Sequence, residues 1–216
     1  MGGINRMSIV VLKIMLILGI IGHAINMYCD RILSIFPKGT INFGNIKEIR
    51  EGNMLAETME GVSEKVPMRS AVLGAFALVL EFMGYSSLAY YVYGYAKVNG
   101  SIMLAMTAFF CIIAAAYHVK TALVEYVFIK LGRDDKAKDL ALDLMGDAPI
   151  LRGCMLGLIV YIVTFIVSIV TGVIGFPMWA IIFTIIPVFI LLIPFRIIGT
   201  IHIASMASML VWLILM

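Results

Sequence analysis

Long apolar stretches separated by shorter polar ones dominate the chain, and this pattern predicts helices that cross a membrane. A membrane-spanning helix needs about 20 predominantly apolar residues. Six such spans can be placed, at about 7–29, 69–93, 102–124, 153–174, 177–193 and 197–216. The last two share the stretch from Met178 to Met216, in which Arg196 alone is formally charged. One helix of that length would reach roughly 60 Å, so Pro194 and Gly199 are expected to mark a break between two spans.

Two polar segments, 30–68 and 125–152, connect span 1 to span 2 and span 3 to span 4. Each contains apolar residues at helical spacing, which predicts a short amphipathic helix on the membrane surface. In the first segment the apolar positions are Leu55, Met59, Val62 and Val66. In the second they are Ala137, Leu140, Ala141 and Leu144, followed by a helix-ending Gly146 and Pro149.

The distribution of lysine and arginine predicts the orientation, because these residues accumulate in cytoplasmic loops. Most of them lie in the connections after odd-numbered spans: Arg31, Lys38, Lys47, Arg50, Lys65, Arg69, Lys130, Arg133, Lys136, Lys138, Arg152 and Arg196. The opposite side has only Arg6, Lys13 and Lys97. The odd-numbered connections are therefore predicted to be cytoplasmic and both termini to lie outside. Five tyrosines would then form an aromatic belt at the outer end of span 2: Tyr85, Tyr90, Tyr91, Tyr93 and Tyr95.

Composition agrees with this interpretation and narrows the class of protein. The chain is 62% hydrophobic and 13% charged, whereas about 25% of a soluble domain is charged. The small net charge of +3, with acidic and basic residues mixed, argues against a nucleic-acid partner. No small-residue cleavage site follows the first apolar run, so we expect a retained helix and not a signal peptide. The prediction is one all-α integral membrane domain over 1–216, a polytopic transmembrane bundle with the lipid bilayer as its main partner.

Polar residues inside the spans are the candidates for chemistry. His23 and Asp30 are seven residues apart, so they differ by roughly 20° around a helix, and Asn26 lies on the same side. Span 3 repeats this spacing with His118, Thr121 and Glu125. Glu81 falls near the middle of span 2, where a charged side chain costs about 2.5–3.5 kcal/mol on insertion scales. Such residues are expected to face the bundle interior and to have partners.

These positions predict a polar pocket in the cytoplasmic half of the bundle. Its predicted lining is His23, Asn26, Asp30, Glu81, His118, Thr121, Glu125, Arg196 and His202. Each of these residues also has a purely structural interpretation, as an interfacial or hydrogen-bonded side chain. The favoured function is the binding or transport of a small molecule, an ion or a lipid, with Glu81 and Asp30 as cation-exchanging carboxylates and no cofactor. Convincing internal repeats, the usual mark of a transporter, are missing. Six short spans leave a monomer little room for alternating access, so a transporter is expected to act as a homodimer.

A metal-dependent enzyme is the main alternative. His23, His118 and His202 with one or two carboxylates form the ligand set of a catalytic zinc site, which would suit hydrolysis of a lipid amide or ester. This set resembles, in outline, intramembrane metal hydrolases of the alkaline ceramidase type, but a seventh span and an HxxxH motif in the last helix are lacking. Haem held between His23 and His118 is a third interpretation. The fourth is a non-catalytic structural or interaction protein.

The overall layout carries a resemblance to a known group of proteins. With "GHAINMYCDRIL" in span 1 and "IPFRIIGTIHIAS" leading into span 6, the chain resembles uncharacterised six-span bacterial integral membrane proteins grouped as domains of unknown function. The resemblance implies a six-helix bundle in the bacterial cytoplasmic membrane, with no particular activity.

Overall fold

The computed structural model describes residues 7–41, 49, 50, 52, 54–146 and 149–216. Within these residues the regular structure is helical apart from one antiparallel hairpin of two short strands, β1 (Ile35–Phe36) and β2 (Gly39–Thr40), with Ile35 opposite Thr40. The α-helices are α1 (Ile9–Ser34), α2 (Met54–Thr58), α3 (Lys65–Tyr93), α4 (Lys97–Lys130), α5 (Asp135–Met145), α6 (Pro149–Val170), α7 (Ile185–Leu192) and α8 (Thr200–Leu215). Two short 3-10 helices cover Met178–Phe183 and Ile193–Phe195.

Four helices are long and apolar enough to cross a membrane, which confirms the first four predicted spans and indicates membrane integration. They are Ile9–Ser34, Lys65–Tyr93, Lys97–Lys130 and Arg152–Val170. The first three of them extend beyond the predicted spans at their polar ends. The apolar pattern marks only the part of a helix that lies in hydrocarbon, whereas the backbone hydrogen bonds continue into the polar layer.

The fifth and sixth predicted spans are not confirmed. In place of the fifth, the chain forms a 3-10 helix and then α7, which has only eight residues. Thr184 between them is extended (φ −78°, ψ 160°) and so interrupts the helix. Arg196 and Gly199 both have positive φ, which separates the second 3-10 helix from α8. The stretch 178–216 therefore contains a broken helix and a 16-residue helix, α8.

Helix α1 lies against α3 and α8, and the contact with α3 is backbone to backbone. A Cβ atom on Gly19 would lie 2.6 Å from the Cα atom of Gly84, and one on Gly22 would lie 2.6 Å from the carbonyl oxygen of Ala77. Real Cβ atoms do not approach other atoms so closely, so larger residues at these positions would push the helices apart. This close crossing brings the polar face of α1 up to the middle of α3.

Helix α8 runs antiparallel to α1. Near its start, His202 contacts Asp30 of α1, and a full two turns later the sulfur of Met209 lies beside Gly19. The end of α8 and the beginning of α1 therefore lie at the same end of the bundle. Gly199, just before α8, leaves room for Met27, whose Cγ atom would be 2.8 Å from an added Cβ atom.

The opposite end of the bundle, which we call the hairpin end, is covered by β1–β2, α2 and α5. Helix α5 is capped by the Asp134 side chain and ends at Gly146, as the sequence predicts. Its buried face differs from the predicted stripe, because Leu142 is buried while Leu140 and Leu144 are each 46% exposed. The predicted stripe in the first segment is buried at Leu55, Met59 and Val62, although helix α2 itself has only five residues. Arg6 and Lys47, used for the orientation, lie outside the described residues.

Candidate functional site

The polar face of α1 is directed into the bundle, at the depth where α1, α3 and α8 meet. His23 lies fourteen residues after the start of α1 and eleven before its end, and Glu81 is similarly central in α3. The His23, Asn26 and Glu81 side chains are buried, while the Asp30 side chain, about two helical turns further along α1, is 33% exposed. The site therefore begins at mid-depth and extends towards the hairpin end.

Three potential ligand atoms converge at the centre of the site. His23 Nδ1 lies 3.0 Å from His202 Nδ1 and 3.1 Å from Glu81 Oε1. The distance from His202 Nδ1 to Glu81 Oε1 is 3.6 Å. Asn26 Nδ2 donates to the same Glu81 oxygen at 2.8 Å, which fixes the carboxylate on that side. Two imidazoles and one carboxylate thus direct one atom each at a common point.

A second contact network lies nearer the hairpin end and is centred on Asp30. Its Oδ2 atom is 3.1 Å from His202 Nε2, and its Oδ1 atom is 3.6 Å from His118 Nδ1. His118 Nε2 is 3.1 Å from the carbonyl oxygen of Ser70, and the Ser70 hydroxyl donates to the Cys29 carbonyl. Asp30 therefore connects His118 to His202, and His202 connects both to the central cluster.

A cavity of about 260 Å³ adjoins these side chains. Seven of the nine predicted pocket residues line it: His23, Asn26, Asp30, Glu81, His118, Thr121 and His202. The rest of the wall is mainly apolar and aromatic and includes Leu78, Tyr85, Phe110, Ala114, Tyr117, Met155 and Leu158. The cavity lining contains two carboxylates and three imidazoles but no lysine or arginine. The negative charge of the carboxylates therefore has to be balanced by protons on the imidazoles or by a bound cation.

The other two predicted residues do not line the cavity. Glu125 is buried in the apolar layer at the hairpin end, and within the described part of the chain neither of its carboxylate oxygens has a hydrogen-bond partner. Arg196 is exposed in the left-handed turn before α8. Thr121 lines the cavity, but its hydroxyl donates to the Tyr117 carbonyl of its own helix. Glu125 lies on the same continuous helix as His118 but about two turns further towards the hairpin end, beyond the cavity, and Arg196 lies in the break before α8. The apolar pattern alone locates neither the limit of the cavity nor the break.

The histidines do not converge as the three-histidine zinc interpretation requires. His23 and His202 meet, but both ring nitrogens of His118 are directed at Asp30 and Ser70. Glu81 takes the third place, so the group that satisfies metal-ligand spacing among the described residues is His23, Glu81 and His202. The haem interpretation needs a ring nitrogen of His118 that is free to bind iron, but both nitrogens are directed at Asp30 and Ser70.

Three residues of the site have no polar signal in the sequence strong enough to predict them. Tyr85 was expected in an outer aromatic belt, but it is buried and its hydroxyl donates to Ser205 at 3.0 Å. Ser205 and Ser70 are small hydroxyl residues of a kind that is common in membrane helices. Ser205 lies three residues after His202 and Tyr85 four residues after Glu81, so each shares a helical face with an ionisable residue, and this spacing could have drawn attention to both.

The chain belongs to a family of unknown function, DUF6796, whose family model matches residues 7–216. This match confirms the resemblance to a domain-of-unknown-function family. No curated protein and no solved structure matches the chain.

Proposed function

We propose that this member of the family is a bacterial membrane protein that binds a small amphipathic molecule in the cavity between α1, α3, α4, α6 and α8. The observation that carries the proposal is the continuous set of ionisable side chains, from His118 through Asp30 and His202 to Glu81 and His23, beside a cavity at mid-depth of the apolar helices. Ionisable residues at such depth mark ligand or ion pathways in membrane proteins.

The energetic cost of the cluster supports a role beyond packing. Each charged side chain at a helix centre costs about 2.5–3.5 kcal/mol on insertion scales. A well-packed apolar set of similar volume is often as stable as a buried ion pair or more so. Glu81 and two imidazoles at the junction of three helices therefore lower the stability of the bundle unless these groups bind a ligand or an ion.

The shape of the cavity supports an amphipathic ligand. Its polar wall is formed by α1, Glu81 and His202, and its opposite wall by aromatic and aliphatic side chains such as Phe110 and Leu158. A ligand would place a polar group against the histidines and an apolar part along Phe110 and Leu158. The partial exposure of Asp30 supports entry from the hairpin end.

The proposed orientation puts the hairpin end in the cytoplasm and both termini outside. The excess of lysine and arginine in the connections at that end supports it. The antiparallel arrangement of α1 and α8 is compatible with it, because α1 begins and α8 ends at the same end of the bundle.

Blocking the cavity without touching its polar groups tests the proposal. Ala114 of α4 lines the cavity, whereas Ala116, on the same helix, is exposed. Ala114→Phe places a phenyl ring in the cavity, and Ala116→Phe is the matched control. Wild type and both variants are isolated in lipid nanodiscs, and bound small molecules are identified by mass spectrometry. We expect one species in wild type and Ala116→Phe that falls at least tenfold in Ala114→Phe.

Two outcomes contradict the proposal. One is that wild type carries no molecule above the level of empty nanodiscs. The other is that Ala114→Phe, shown to be folded by its thermal unfolding curve, carries the same amount of the species as Ala116→Phe.

Metal-dependent hydrolysis of a lipid amide or ester is the second candidate. The convergence of His23, Glu81 and His202 favours it, because two histidines and a glutamate are a known ligand set of hydrolytic zinc. Hydrolysis would add one water across the bond, giving a carboxylic acid and an amine or an alcohol. It requires that the site hold a metal, and product formation from a labelled membrane ester or amide would be its assay.

A further inference from the structure

We infer that His23, Glu81 and His202 form a binding site for one divalent transition-metal ion, of the zinc class, within the bundle. The inference names the group that would fix a ligand's polar end, and it rests on the pocket proposed above. It differs from the sequence-based set of three histidines, because Glu81 takes the place of His118.

The spacing of the three atoms matches a coordination sphere. Ligand atoms about 2.1 Å from zinc are roughly 3.4 Å apart in tetrahedral geometry and roughly 3.0 Å apart in octahedral geometry. The observed separations are 3.0, 3.1 and 3.6 Å. An ion equidistant from all three would lie just outside their plane. Two histidines and one carboxylate on one face are also the arrangement that leaves further positions open for water or a ligand.

Two of the three side chains, His202 and Glu81, have contacts that support a metal ligand, whereas His23 Nε2 has no hydrogen-bond partner within the described residues. Metal-bound histidines commonly donate the other ring N–H to a carboxylate, which orients the ring and raises its basicity. His202 has this partner, since its Nε2 atom is 3.1 Å from Asp30 Oδ2 while Nδ1 is directed at the central cluster. Asn26 Nδ2 donates to the proposed ligand atom of Glu81 itself, Oε1, and so orients the carboxylate while leaving that oxygen a second lone pair for the ion. Asp30 is itself held by His118.

A cation between the rings also resolves a problem of proton placement. If His202 donates from Nε2 to Asp30, its Nδ1 atom carries a lone pair that points towards His23 Nδ1 at 3.0 Å. A single proton on His23 Nδ1 is then shared between His202 and Glu81. A metal ion accepts all three lone pairs at once, and the charge of Glu81 is compensated in a buried place.

The open side of the ion adjoins the cavity, because all three ligands line it. Water or an anionic oxygen of the bound molecule would complete the coordination there. Ser205, whose hydroxyl oxygen accepts from Tyr85, also lines the cavity, so its own O–H can donate to such an oxygen.

Cobalt titration of the metal-stripped wild-type protein is the first test. Co²⁺ bound by nitrogen and oxygen ligands absorbs visible light, so the probe reports both stoichiometry and geometry. We expect one Co²⁺ per chain, displaced by one equivalent of Zn²⁺, and about one equivalent of zinc in protein purified without chelator. Wild type that binds no Co²⁺ at micromolar protein, or binds it without visible bands, overturns the inference.

Three variants identify the ligands. His202→Gln should weaken zinc binding more than 100-fold, since loss of an outer partner alone usually costs 10–100-fold. Asp30→Asn is expected to fall within that smaller range. His118→Gln should retain one zinc per chain with less than a 100-fold loss. If His118→Gln loses the metal as completely as His202→Gln, the proposed ligand set is wrong. Circular dichroism of each variant serves as the control that the variant is folded.

Failure of the metal-site inference can be distinguished from failure of the proposed binding function. Ala114→Phe leaves all three ligand side chains in place, so it should bind zinc while losing the amphipathic molecule. A molecule that binds normally to protein with no metal contradicts only the metal site. One zinc per chain in protein that binds no molecule contradicts only the proposed function.

Discussion

Gly74 of α3 should be indispensable, because it makes room for the ring of His118. A Cβ atom at this position would lie 2.0 Å from His118 Nε2 and 2.2 Å from Cδ2. Gly74→Ala therefore forces the imidazole to move, and its contacts with the Ser70 carbonyl and with Asp30 cannot both survive. The substitution acts on the site through sterics alone, without removing any polar group.

The expected magnitude follows from three contributions. Overpacking a tight interior costs about 1–3 kcal/mol, and leaving a buried polar partner without its hydrogen bond costs a further ~1–3 kcal/mol. Alanine is better than glycine in a helix by about 1 kcal/mol, which offsets part of the loss. Gly74→Ala should therefore lower the free energy of unfolding by about 3 kcal/mol.

The measurement is unfolding in mixed micelles, with Gly153→Ala of α6 as the matched control. An added Cβ atom there would be 3.6 Å from the flexible end of Ile113, an ordinary contact. Gly153→Ala should be neutral or slightly stabilising. In a double-mutant cycle, His118→Ala removes the ring that clashes, so Gly74→Ala should cost less than about 1 kcal/mol in that background.

Two results would refute this reasoning. If Gly74→Ala is as stable as Gly153→Ala, the imidazole of His118 can move away from the added methyl group at little cost, and the predicted clash is wrong. If the cost of Gly74→Ala is unchanged in the His118→Ala background, the loss does not arise from contact with the imidazole.

Two further predictions concern the hairpin end. Arg133 donates to the carbonyl oxygens of Met59 and Val62, so Arg133→Met should speed hydrogen exchange in the segment before α3 about tenfold or more, and unchanged exchange would contradict this. The Lys38 ammonium lowers the pKa of the exposed Glu60 carboxyl. The ion pair therefore stabilises the folded state at pH values above the unfolded pKa of about 4.3, and this stabilisation is lost as the pH falls through the lower pKa of the folded state. Lys38→Met should raise the Glu60 pKa in an NMR titration, and high salt should reduce the difference.

Local periodicity in the sequence was enough to predict the four long helices and much of the site. Residues seven apart face the same way in any helix, so the alignment of His23 with Asp30 needs no tertiary information. The register between helices does need it. Nothing in the spacing of α8 indicates that His202 meets Asp30 and Glu81, because that contact depends on how far α8 is displaced along α1.

The glycines show a second limit of the same kind. The sequence contains several small residues in α1 and α3, but small residues are common in membrane helices and do not by themselves mark a contact. Only the crossing itself shows that Gly19 meets Gly84 and that Gly22 meets Ala77. Packing of this kind sets the distance from His23 to Glu81, which is the dimension on which the site depends.

The break in the helix before α8 allows the site to form. A straight sixth span beginning at 197 would hold His202 only about 8 Å deep at 1.5 Å per residue, whereas Glu81 lies twelve residues, about 18 Å, from the start of predicted span 2 at Arg69. Instead the 3-10 helix and the left-handed residues Arg196 and Gly199 bring the chain to Met27 before α8 begins. The first turn of α8 then lies within the bundle, and His202 can contact both Asp30 and Glu81. The irregular backbone before α8, where the sixth predicted span is not confirmed, thus allows His202 to complete the predicted pocket.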